Sequence, residues 1–197
     1  MAAAAVPLTR REQLKAQRRE QLLDAGARLI ADRGFLGMRL DDLGAAAGIS
    51  GPAVYRHFPN KEALLVELLV GISQRLLDGG RAVATAATSP AEALDALIDF
   101  HLDFALGEPE LIRIQDRDLE NLPEAARRQV RRTQRQYVEV WVAVLRELHP
   151  ALPEATARMQ AHATFGLINS TPHSAPAVTA TRARPVLRRM ALAALLG

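Results

Sequence analysis

Apolar residues recur along most of the chain at three- and four-residue spacing, and the two-residue alternation of a half-buried strand is absent. Leu22, Leu23, Gly26, Leu29 and Ile30 predict a helix from about Gln13 to Arg33, with Gly34 as its stop. Residues 1–9, four alanines and then Pro7, read as a frayed end. A second short helix spans Leu40 to Ala47, with Asp41 and Asp42 in the first turn, where the helix dipole favours acids. Gly48 ends it. Ser50 can cap a third helix, with Pro52 in its first turn, that carries Val54, Tyr55, His57 and Phe58 and stops before Pro59. Asn60 caps a fourth helix to about Asp78.

Gly79-Gly80 and the Ala/Thr stretch up to Pro90 read as a break or a weak helix end. Helices follow over 91–106, from Glu108-Pro109-Glu110, and over 122–149, the longest. Val130, Tyr137, Val140, Trp141, Val144, Leu145 and Leu148 form the apolar stripe of that longest helix. Pro150 and Pro153 precede a helix at 154–170, residues 171–181 read as a loop, and a last helix occupies 182–196. The expectation is an all-α chain of about nine helices without an internal repeat.

Composition sharpens this picture. The 197 residues include 23 Arg against 2 Lys, and no Cys, which excludes disulfides, thiolate metal sites and cysteine nucleophiles. No apolar run approaches the ~20 residues of a membrane span, and the first residues lack the order of a signal peptide. The expected setting is the cytoplasm, with no membrane partner. The net charge of +3 is unevenly spread: residues 1–61 hold ten basic against six acidic residues, and residues 62–197 fifteen against sixteen. Positive charge at the amino end points to a polyanion partner or a solvated basic face. G-x-S-x-G, H-E-x-x-H, P-loop and dinucleotide motifs are absent, and the five histidines lack metal-ligand spacing. Neither an enzyme nor a cofactor is expected.

Two short helices joined by Ala47-Gly48-Ile49-Ser50 form a helix-turn-helix, whose second helix enters the major groove. Small Ala46 and Ala47 would let them pack closely, over a core of Leu22, Leu29, Ile30, Phe35, Leu43, Ile49, Val54 and Phe58. The carrying residues are Gly34-Phe35, Leu40-x-Asp42-Leu43, Ala47-Gly48-Ile49-Ser50, Tyr55-x-His57-Phe58 and Lys61-Glu62-x-Leu64. On them the stretch resembles the TetR family of bacterial transcription regulators. The resemblance covers about 50 residues. It implies a homodimer on a near-palindromic operator of double-stranded DNA, a repressor released by a small-molecule effector. It divides the chain into a DNA-binding domain, 1–61, and a ligand-binding and dimerisation domain, 62–197, with 62–80 as the connecting helix.

On this reading Tyr55 contacts phosphate, or packs in the core. His57 touches phosphate or closes the helix end. Lys61 is a phosphate contact, Ser50 a contact or only a cap, and Arg56 a base or backbone reader. Two departures matter. Arg39 stands where the family often has a hydroxyl, and could replace it with a charged contact. Gly51, Pro52 and Ala53 open the recognition helix without side-chain hydrogen-bonding groups, which shifts readout towards apolar contact and shape. Arg10, Arg11, Lys15, Arg18 and Arg19 form either a groove-reaching arm or a solvated face.

In the second domain, Phe100, Phe104, Ile112, Tyr137, Trp141 and Phe165 could line a ligand cavity or be plain core. His101 is either a satisfied core histidine or a ligand contact. The cluster Gln115-Asp116-Arg117-Asp118 orients a ligand or forms local ion pairs, and His162 shares a helix face with Asn169. Arg127, Arg128, Arg131, Arg132 and Arg135 could hold the phosphates of an acyl-CoA, or be a solvated face balanced by Glu120, Glu124 and Glu139. Ala157, Ala161, Thr164 and Phe165, with Ala183, Leu187, Met190, Ala191 and Ala194, are the candidate dimer faces for a four-helix bundle. A closed, well-packed second domain would instead suit a regulator controlled by a protein partner.

Overall fold

The computed structural model of the chain describes residues 9–174 and 179–196. A capping box at Thr9 starts α1 (Arg10–Gly37), three residues ahead of the predicted start: Glu12 N–H reaches Thr9 Oγ1, and the Glu12 carboxylate accepts from Thr9 N–H at 2.8 Å. The expected stop at Gly34 takes the form of a break inside α1. Its φ of 77° lies in the left-handed region open to glycine, and one further turn follows it. Leu40–Ala47 form α2, closed by left-handed Gly48. Residues Gly51–Tyr55 form α3, shorter than expected: Arg56 and His57 turn away, and Pro59 disfavours helical backbone at Phe58. The close approach of α2 to α3 falls at Gly44, not at Ala46 or Ala47. A Cβ there would lie 3.0 Å from the Ile49 carbonyl and 3.2 Å from Val54 Cγ2.

Asn60 Oδ1 accepts from Ala63 N–H at 2.8 Å and caps α4 (Lys61–Ala86). This helix does not stop at Asp78. Gly79 and Gly80 lie inside it because neighbouring rings need the space: a Cβ on Gly79 would meet Phe100 at 2.2 Å, and one on Gly80 would meet Tyr137 at 2.4 Å. The remaining helices are α5 (Pro90–Gly107), α6 (Pro109–Asp118), α7 (Glu124–Leu148), α8 (Glu154–Asn169), α9 (Thr171–Ser174) and α10 (Ala180–Leu196), with a 3-10 turn at Leu119–Asn121. The expected loop 171–181 is thus helical at both ends, and its residues 175–178 lie outside the described residues, as do 1–8. Among the described residues there are ten α-helices and no strand, one more helix than expected because of the single turn α9.

The body is built on α4, α5 and α7, which pack together around Leu97, Ile98, Trp141 and Leu145, all fully buried. Helices α8 and α10 close it from outside. Asp95 and Asp99 of α5 pair with Arg188 and Arg184 of α10 at 2.9 and 3.0 Å, fastening α10 down. The candidate dimer faces need correcting. Ala157, Ala161, Thr164, Ala183 and Ala191 are buried within the chain's own core, because their small size lets α8 and α10 sit close. Met190 and Ala194 are exposed, with Met159 and Val186.

The two α4 environments give opposite expectations for the same substitution. Nothing lies within 4 Å of a Cβ placed on Gly71, so Gly71→Ala should add up to about 1 kcal/mol of stability through helix propensity. Gly80→Ala should lose stability, because overpacking of roughly 1–3 kcal/mol against the Tyr137 ring exceeds that gain. Urea denaturation of both variants checks the pair.

Candidate functional site

The helix-turn-helix leaves a short row of polar side chains outside. Arg39 at the start of α2, Ser50 at the start of α3, Pro52, Tyr55 and Arg56 are exposed, and Gly51 and Ala53 are half-buried between them. Ser50 occupies the cap position but makes no capping hydrogen bond through its side chain. Tyr55 is not core, since about half of it is exposed. His57 is half-buried, and its Nδ1 has no hydrogen-bond partner among the described residues. Burial, then the charges of Arg19, Lys15 and Arg18, hold its imidazole below the usual range. A neutral ring gives phosphate a weaker partner.

Two cations expected at this surface are turned inward. Lys61 Nζ donates to the carbonyls of Phe35, Leu36 and Met38 at 3.0, 3.1 and 3.4 Å, and lies 4.8 Å from the Phe35 ring centre. Its three N–H groups are thereby engaged where α1 ends, so the structure does not offer it to phosphate. Arg19 pairs with Glu67 of α4 at 2.6 Å, donates to the His57 carbonyl at 3.0 Å and lies over the Phe58 ring. It ties α1, the α3 end and α4 together and leaves the proposed arm to Arg10, Arg11, Lys15 and Arg18, all exposed.

Within the polar cluster at the end of α6, Arg117 and Asp118 form a joint to α1. Arg117 donates to the carbonyls of Ile30 and Ala31 in α1, and Asp118, nearly fully buried, accepts from Phe35 N–H at 3.3 Å. Helix carbonyls one turn before Gly34 thus receive a guanidinium. Two and three residues before Arg117 and Asp118, the same helix enters the cavity through Gln115.

That cavity, about 210 Å³, is lined by Ser73, Leu76, His101, Phe104, Ile112, Gln115, Gln134, Tyr137, Val138, His162, Phe165 and Asn169. Seven of the nine expected ligand-site residues meet there: His101, Phe104, Ile112, Gln115, Tyr137, His162 and Phe165. Phe100 does not, because it leans on Gly79 of α4, and Trp141 does not, because it is fully buried edge-on against Phe165. Ser73, Leu76, Gln134 and Val138 were not among the expected residues. Ser73 carried a signal, a lone hydroxyl on the apolar face of a helix.

A short relay forms the buried end of the cavity. His101 Nε2 is 3.1 Å from Asn169 Oδ1, and Nδ1 is 3.3 Å from the Tyr137 hydroxyl. Asn169 Oδ1 can only accept, so Nε2 carries the ring proton and Nδ1 accepts from Tyr137 O–H. Burial lowers the His101 pKa from 6.5 to about 4 against the smaller opposing effect of Asn169, and burial pushes the Tyr137 phenol up. Both are neutral near pH 7.

The arginine run on α7 is largely balanced by its neighbours. Arg127 and Arg128 pair with Glu124, and Arg127 and Arg131 with Glu120. Arg132 and Arg135 are exposed, with no ion pair among the described residues. No group of three metal-ligating side chains occurs among the described residues, and no helix there is long and apolar enough to cross a membrane.

A helix-turn-helix joined through α1, α4 and α6 to a helical body with a cavity open to solvent at one end defines a helix-turn-helix regulator class of fold. The chain belongs to the TetR family: residues 22–68 match the bacterial regulatory proteins of the tetR family, and residues 87–173 the tetracyclin repressor-like C-terminal domain. It is 31% identical over 140 residues to the transcriptional repressor KstR2 of Mycolicibacterium smegmatis, covering 67% of this chain and 65% of that one. Against two other relatives the match spans 40% and 41% of the relative's own length. The fold is that of a TetR-family regulator from Bordetella parapertussis, with a TM-score of 0.79 at 22% identity over 91% of this chain and 94% of that one. It is also that of AibR in complex with isovaleryl coenzyme A and operator DNA, with a TM-score of 0.71 at 18% identity over 88% and 97%.

The His101 relay has a pH signature. The folded-state pKa is depressed to about 4 from 6.5, so between those values the unfolded chain binds a proton that the native chain refuses. Its contribution is complete above pH 6.5 and falls away as pH drops towards 4, by on the order of 3 kcal/mol. Denaturant titrations of wild type and His101→Gln across that window should show a pH-dependent difference that levels off above pH 7.

Proposed function

We propose that the chain is a homodimeric transcriptional regulator, a repressor that holds a near-palindromic operator and lets go when its cavity takes up a small hydrophobic effector. The observation that carries this reading is one helix with two duties. Helix α6 contributes Ile112 and Gln115 to the cavity and fastens Arg117 and Asp118 to the end of α1. An effector that favours one position of α6 would also favour one position of the helix-turn-helix. Residues 1–61 form the DNA-binding domain and residues 62–197 the effector and dimer domain, in a cytoplasmic protein. Arg39, Ser50, Gly51, Pro52, Ala53, Tyr55, Arg56 and His57 form the DNA surface. Tyr55 and Arg56 are the strongest contacts. Lys61 supports that surface from behind.

Met159, Val186 and Met190 are large apolar side chains left exposed on α8 and α10. Buried between two copies they would form a four-helix bundle. A polar lining within a real cavity favours a small effector over control by a protein partner alone. A second reading, an acyl-CoA effector, draws on AibR's complex and on exposed Arg132 and Arg135.

Selection of binders from random DNA duplexes should enrich an inverted repeat. Arg56→Ala should weaken binding to it by about 1–3 kcal/mol if Arg56 reads a base, and relax one position of the motif. Failure to enrich any repeat with a folded dimer would overturn the reading. Met190→Glu should shift the sedimentation profile towards monomer. Arg117→Gln should leave operator binding in place and blunt release by effector.

A further inference from the structure

The cavity's chemistry is narrower than that of a general hydrophobic pocket. None of its lining residues is Asp, Glu, Lys or Arg. An anion placed at the buried end would lose its hydration and meet no Lys or Arg. The hydroxyl hydrogens at the buried end are already committed. Ser73 Oγ donates to the Leu69 carbonyl at 2.7 Å, and Tyr137 O–H donates to His101 Nδ1. Both residues are nearly fully buried. What they keep is acceptor capacity, the lone pairs of two hydroxyl oxygens. The Asn169 side chain spends its oxygen on His101 and keeps its N–H groups. A ligand hydroxyl fits this set, because it can donate to a hydroxyl oxygen and accept from the amide. A carboxylate offers no hydrogen and brings an unpaired charge.

Size and shape narrow it further. An apolar cavity of about 150 Å³ holds benzene, and this one is about 210 Å³. Phe165 stacks on Tyr137 at 5.5 Å between ring centres and lies 4.9 Å from His101, so the three rings touch and make one aromatic wall. That wall suits a flat apolar body of one ring laid against it.

We infer that the cavity selects an uncharged, hydroxyl-bearing molecule of about one substituted ring, a phenol or a comparable alcohol, over carboxylates and coenzyme A thioesters. This rests on the reading that the cavity is the effector site. The hydroxyl sits at the Ser73–Tyr137 end, and the ring lies among Phe104, Phe165 and Ile112.

The test uses the full chain and four probes: 4-methylphenol, 4-methylanisole, 4-methylbenzoate and butyryl-CoA. Calorimetry gives affinities. The fluorescence of Trp141, the one tryptophan of the chain, reports events beside the cavity, since its ring edge meets Phe165 at 5.0 Å. The expected result is that 4-methylphenol binds at least about tenfold more tightly than each other probe, because a site built to pair a hydroxyl rejects its methyl ether. Tyr137→Phe and Ser73→Ala should each weaken the phenol by roughly tenfold and leave the anisole unchanged. The two variants are independent, so misfolding of one leaves the other decisive. Equal or tighter binding of the anisole, the benzoate or the thioester overturns the inference, as does the absence of binding by every probe at millimolar concentration. Operator selection is run on the same protein. An enriched operator with no phenol preference removes the effector assignment and leaves the regulator reading standing. Phenol preference without any DNA binding upholds the assignment and removes the regulator reading.

Discussion

The end of α1 is the point on which the rest of the molecule depends. A helix that breaks at Gly34 leaves carbonyl groups without intrahelical donors. Two distant cations meet them. Lys61 comes from the first turn of α4, and Arg117 from the last turn of α6. Asp118 takes the Phe35 N–H released on the other side of the break. A single unsatisfied stretch of backbone therefore draws three helices to one place. The orientation of the helix-turn-helix relative to the body follows from how those bonds are shared, since each is directional in a way that apolar contact is not.

The body shows the complementary economy. Three of its interior polar groups bond in a line from Asn169 through His101 to Tyr137, all uncharged near neutral pH. A hydrogen-bonded line of this kind fixes one wall of the cavity without introducing charge. Trp141 and Phe100, which look equally suited to a ligand, instead fill the space behind those walls. Small residues do the rest: Gly79 and Gly80 make room for the Phe100 and Tyr137 rings, and Ala157 and Ala161 are fully buried on α8.

Much of the fold was legible in the sequence, because it rests on local rules. Gly34 and Gly48 stand where a positive φ interrupts or ends a helix, and Asn60 where a cap begins one. The same rules misread Gly79 and Gly80, since a glycine that makes room for a neighbouring ring looks identical in one dimension to one that stops a helix. Charge was legible and its direction was not. Lys61, Arg19 and Arg117 are polar signals whose partners lie 25, 48 and 86 residues away, and no spacing rule reports that. In the cavity, residues on the predicted apolar faces of α5 and α7 came together, while Ser73 on α4 escaped because that helix was assigned to linking the two domains.

The unbroken run of α4 has a geometric consequence. Its 26 residues make a rod about 39 Å long at 1.5 Å per residue, with Ser73 near its midpoint, Lys61 at one end and no hinge at the glycine pair. Pivoted at its far end, such a rod converts a tilt of about 5° into a displacement of roughly 3 Å at Lys61. A movement too slight to unpack the cavity walls is thus magnified into one comparable to the reach of a hydrogen bond where α4 meets the end of α1.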